Sequence, residues 1–129
     1  MAGSIALTTA DLGGGITKYS IAWTSDASGN VNGTSIALKR GRLLQVKFVP
    51  TNGGAQPSNN YGATLLDADG VDLLAGKGTA LSNTAATIAV PVVSSTSPAL
   101  IEGGNYTPTI SAAGNATNGR IDLCVGLGG

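Results

Sequence analysis

The chain has 129 residues, enough for one domain with its own core, and its seven basic and seven acidic residues cancel to zero net charge. Zero net charge provides no global field for nucleic acid or an anionic membrane. The lack of histidine rules out Ser-His-Asp and Cys-His machinery, and one cysteine leaves neither an intramolecular disulfide nor a cysteine-based zinc site.

Twenty glycines, with abundant Ser, Thr and Asn, predict many turns and little helix. Only five residues are aromatic: Tyr19, Trp23, Phe48, Tyr61 and Tyr106. The core must therefore rest mainly on Val, Ile, Leu and Ala. Charged residues make up 11% of the chain, well under the usual quarter. Much of the surface is then uncharged and suited to being covered by neighbours. No apolar stretch approaches bilayer-spanning length, and no signal peptide is visible. A soluble protein made in a cytosol is expected, so the sequons at Asn32, Asn105 and Asn115 read as accidental.

Ser4–Thr8 is a short apolar alternation, an edge strand or part of an N-terminal arm over residues 1–15. Asp11–Gly15 is a glycine-rich turn. In Ile16–Thr24, Tyr19, Ile21 and Trp23 alternate with Lys18, Ser20 and Ala22, the period of a strand with one buried face. Ser25–Gly33 is a turn cluster, and Thr34–Leu38 reads as a strand ending in the basic run Lys39-Arg40-Gly41-Arg42.

Residues 41–76 are the most legible stretch. Leu44, Val46 and Phe48 alternate with Gln45 and Lys47, and Pro50 ends that strand. A loop over Thr51–Asn59 follows, then a strand with Tyr61, Ala63 and Leu65 on one face. Ala68-Asp69-Gly70 turns the chain, and Val71–Leu74 resumes as a strand. The whole reads as an antiparallel meander forming one wall of the core.

Ser82-Asn83-Thr84 has the chemistry to cap one helical turn through Ala85 and Ala86. Ala86–Val93 reads as an edge strand with Ile88, Val90 and Val92 on one face. Ser94–Pro98 is a loop. Asn105–Ala112 places Tyr106, Pro108, Ile110 and Ala112 in phase. After the turn at Ala113–Gly119, the last strand sets Ile121, Leu123 and Val125 against Arg120, Asp122 and Cys124. Cys124 reads as a small buried hydrophobe. The pattern predicts an all-β single domain over 1–129, a two-sheet antiparallel β-sandwich. A jelly roll is one form of it, and a small barrel is the alternative.

Candidate sites are few. Asp67, Asp69 and Asp72 cluster at a turn and are weak candidates for a hard cation. Their spacing lacks the closing acidic residue of a calcium loop, so service to the turn is the favoured reading. Nothing singles out a carboxylate pair of the glycosidase kind. Lys39, Arg40 and Arg42, with Lys47, form the basic cluster and are the candidates for partner contact. The bland alternative is a solvated strand end that discourages wrong pairing. Tyr19 and Trp23 share a face with Ile21 and belong to the core in preference to a sugar platform. No catalytic residue, cofactor site or enzyme activity is expected.

Three stretches carry a resemblance: Tyr19–Val31, Asn60–Gly78 (NYGATLLDADGVDLLAGKG) and Leu81–Thr84. With them the chain, from about Tyr19 to Val125, resembles small structural proteins encoded among the head and tail genes of tailed bacteriophages. The resemblance implies a virion protein, most simply a capsid decoration (cement) protein. It would sit on the major capsid protein or other virion proteins as a homo-oligomer, a trimer at local threefold positions, with no nucleic-acid or membrane partner. A tail or baseplate accessory protein that binds host glycan or receptor is the alternative, and it requires exposed aromatics.

Overall fold

The computed structural model describes residues 3–13, 15–31, 34–38, 41–51, 56–67, 69–74, 76, 78–89, 100–101 and 104–126. The described residues form strands and turns without helix. The strands are β1 (Ser4–Gly13), β2 (Ile16–Thr24), β3 (Ile36–Leu38), β4 (Gly41–Pro50), β5 (Gly62–Leu66), β6 (Thr87–Ala89), β7 (Leu100–Ile101), β8 (Gly104–Ser111) and β9 (Asn118–Gly126).

They make two antiparallel sheets. The larger runs β1-β2-β9-β4-β6, with β7 also on β4, and the smaller runs β3-β8-β5. From β2 to β6, and again from β7 to β9, successive strands pass from one sheet to the other, while early strands end beside late ones: β2 beside β9 and β3 beside β8. That winding makes a two-sheet antiparallel sandwich. The core draws on both sheets. Tyr19, Ile21, Trp23, Leu43, Val46, Phe48, Ile121, Leu123 and Val125 come from one, and Ile36, Leu38, Ala63, Leu65, Tyr106 and Ile110 from the other. Trp23 and Tyr61 meet with ring centroids 5.6 Å apart and tilted by 47°, a favourable aromatic arrangement.

Several expectations need correction. Residues 41–76 are not a meander, because β4 and β5 lie in different sheets, each supplying side chains to the core between them. Alternation specifies which face of a strand is buried, not which strand it pairs with. Val71–Leu74 is not a strand. It follows a tight turn closed by the Asp67 N–H to Val71 carbonyl bond, and the Leu66–Asp72 bridge, the Leu73 N–H to Leu65 carbonyl bond and the Leu65 N–H to Asp72 carboxylate bond tie it to β5. In β4 the core side chains are Leu43, Val46 and Phe48, with Leu44 half-buried. A register shift between Leu43 and Gln45 moves the phase by one residue, as a β-bulge does.

Residues 90–93 of the expected strand Ala86–Val93, and Leu127, lie outside the described residues. Thr87–Ala89 does form an edge strand on β4, but Ile88 points outward and is 61% exposed. Ala112 leaves the phase of β8 because it turns the chain at φ 56° and is exposed. Ser82 Oγ accepts from the Thr84 and Ala85 N–H groups, both at 3.2 Å, yet no helix follows. Two residues are too few to repay helix nucleation, and Thr87 already pairs with Phe48. Cys124 is half-buried on the outer side of the large sheet rather than in the core.

At one end of the sandwich, Ser25 locks two loops together. Its fully buried hydroxyl accepts from the Thr117 N–H (2.9 Å) and bonds the Gly114 carbonyl (2.6 Å). The Ser25 N–H donates to the Thr117 carbonyl at 2.8 Å. Nearby, Asp26 Oδ1 accepts from the Ser28 and Asn30 N–H groups. These bonds, the Asn30 one foremost, hold its carboxyl below the ordinary carboxylate value.

Candidate interaction face

The outer face of the large sheet gathers the described basic residues. Strand alternation turns Lys18, Ser20 and Ala22 of β2 outward, opposite the core side chains Tyr19, Ile21 and Trp23. Arg120, Asp122 and Cys124 of β9 point the same way, as do Arg42, Gln45, Lys47 and Val49 of β4. Register sets Ser20 and Lys47 directly beside Asp122 on its two flanks, and Lys18 and Gln45 beside Cys124.

Asp122 is the centre of this face. It is 3% exposed although it lies on the outside of the sheet, because longer side chains close over it. Arg120 Nε stands 3.0 Å from Oδ1 and donates to Oδ2 at 3.1 Å, and Lys18 Nζ lies 3.8 Å from Oδ2. One buried carboxylate thus anchors two partly exposed cations, and Lys47 is its neighbour in register. Removing the carboxylate would leave those cations close together without their counter-charge. The described residues of this face include four cations and one anion.

Of the sequence-derived partner-contact residues, Lys39 and Arg40 lie outside the described residues. Arg42 is exposed on β4, in register with Gly126 and Leu100. The structure adds Lys18 and Arg120 to it. Both were legible as outward positions on their own strands. What joins them is the β2-β9-β4 pairing, which the linear sequence does not announce.

The aspartates at the β5 turn serve the turn. Asp67 Oδ1 accepts from the Asp69 and Val71 N–H groups, each at 2.9 Å. Asp72 Oδ1 accepts from Leu65 and Leu74, and its Oδ2 from Gly76. Among the described residues no group of three His, Cys, Asp or Glu side chains is placed to hold a metal ion.

Tyr19, Trp23, Tyr61 and Tyr106 are each at most 5% exposed, so they offer no stacking platform. Two shallow grooves flank β1 and β2. One, of about 400 Å³, is lined by Thr9, Asp11, Thr17, Tyr19, Ala37 and Leu38, where the larger sheet overhangs the smaller. The other, of about 420 Å³, lies near Ile5, Trp23 and Arg120. The buried Trp23 Nε1 has no hydrogen-bond acceptor among the described residues. Comparison with protein-family models, curated proteins and solved structures gives no match.

Proposed function

We propose that this protein is a structural component of a tailed-bacteriophage virion, a decoration protein that stabilises the capsid through non-covalent contacts. The observation that carries this reading is the outer face of the large sheet. It is broad, built largely of small side chains, and set with Lys18, Arg42, Lys47 and Arg120 around one buried carboxylate. Such a face suits an acidic protein surface. Many copies, each contributing modest contacts, would reinforce a shell through their number. The sequence resemblance to head and tail proteins points the same way. The glycan-binding alternative loses its support because the aromatics it needs are buried.

The test is electron cryo-microscopy of particles assembled with and without this protein. Added density on the outside of the head, with the large sheet towards the capsid, is the expected result. Charge reversal at Lys47 and Arg120 should weaken occupancy, and so should high salt. Density confined to the tail would overturn the decoration reading.

A further inference from the structure

Strand β1 breaks the rules by which natural sheets protect their edges. It is a ten-residue strand at the end of the larger sheet, and its residues are exposed apart from the half-buried Ile5. Edges are normally kept short, charged, bulged or interrupted by proline. Ser4–Ala10 has no charge and no proline, and the strand's register irregularity comes only at Asp11–Gly13. Leu7, in register with the core residue Ile21, is 39% exposed on the core-side face of the strand, which it shares with the half-buried Ile5. A row of unpaired backbone groups along such a strand is a template for another strand.

We infer that β1 is the assembly edge of this protein and that its occupant is the β1 strand of a second copy, paired antiparallel about a twofold axis at Leu7. Edge length selects the occupant. The other edge strands among the described residues are β3 and β6 with three residues each, β7 with two, and β5 with five, whose outer side is already bonded to Asp72, Leu73 and Gly78. Only another β1 matches a ten-residue edge along its length.

Face and charge select the register. A twofold that continues the sheet must set inward residues opposite inward residues. Centring on Leu7 places the two Leu7 side chains opposite each other, Ile5 opposite Thr9, and Ser4 opposite Ala10. It pairs the uncharged part of β1 with itself and leaves Asp11 opposite Gly3, clear of any other charge. The two Leu7 side chains then cover one another, and the larger sheets of the two copies run on as one. This inference holds wherever the protein works, and it takes twofold symmetry where the phage resemblance alone suggested threefold.

Light scattering coupled to size exclusion at micromolar concentration tests it. The expected mass is about 25 kDa, twice the single-chain 12.6 kDa. Leu7→Lys and Leu7→Asp each place like charges directly opposite one another, so each variant should dissociate at least about tenfold more readily and run as a monomer. Mixing the two should restore the dimer, because the opposed residues are then an ion pair. Far-UV circular dichroism checks that each variant is folded. Independently, in a Cys124→Ser background, Leu7→Cys should form a disulfide-linked dimer under mild oxidation, whereas the more exposed Leu12→Cys should not. A monomeric or three-copy mass for the unaltered protein would overturn the inference. So would a dimer that survives both charged variants, or equal cross-linking at positions 7 and 12.

Discussion

Gly119 stands directly opposite Trp23 in the β2–β9 register, and the indole lies over it. A Cβ at position 119 would sit 2.7 Å from Trp23 Cζ2, 3.0 Å from Cε2 and 3.0 Å from the Val49 carbonyl oxygen. Comfortable carbon contacts begin near ~3.5 Å, so a gap of roughly 0.8 Å must be opened. The indole has little room to yield, being 1% exposed and packed on Tyr61. The carbonyl belongs to β4, which is paired to β9 along its length. Gly119→Ala should therefore destabilise the fold by about 1–3 kcal/mol, the usual cost of overpacking a core. A smaller ring at position 23 removes the clash, so Trp23→Phe should reduce the cost of Gly119→Ala. The double-mutant cycle should show coupling of about 1–2 kcal/mol. Trp23 is the chain's single tryptophan, so urea unfolding should be followed by circular dichroism. A Gly119→Ala protein within about 0.5 kcal/mol of the parent, or an additive cycle, would refute this packing argument.

Three further outcomes are expected. Phe48, 1% exposed and paired with Ile121 and Thr87, should cost about 3–5 kcal/mol when cut to alanine; urea unfolding with a loss under about 1 kcal/mol would place it outside the core. Ser25→Ala leaves the Thr117 N–H without its buried acceptor and should cost about 1–3 kcal/mol by the same assay, a loss near zero contradicting the loop lock. Burial pushes the Tyr61 phenol from 10 up to about 12. Its folded value exceeds its unfolded one, so the stability gained by keeping it neutral is complete below pH 10 and disappears as pH rises towards about 12. That gain is on the order of 3 kcal/mol. Tyr61→Phe should flatten this alkaline limb of the stability curve, and an unchanged limb would mean that another group governs it.

The sequence by itself determined most of the strands and, for several of them, the buried face. Tyr19, Ile21 and Trp23 point inward, as do Tyr61, Ala63 and Leu65, and Ile121, Leu123 and Val125. A period of two is a local property, and burying one face of a pleated strand requires it whatever that strand pairs with. The turn role of Asp67 was legible for the same reason, since its carboxylate bonds lie within four residues of chain. Pairing is non-local, and there the tertiary structure decided. It separated β4 from β5 and set β9 between β2 and β4. It also shifted the phase of β4 at Leu43–Gln45, because Leu43 and Leu44 are alike and the pattern does not say which of them faces the core. The basic face follows from the same cause. Lys18, Lys47 and Arg120 are far apart in the chain and each is unremarkable on its own strand. They become one feature only when the β2-β9-β4 register brings them around Asp122, a choice made by the packing of the whole core and not by any segment within it.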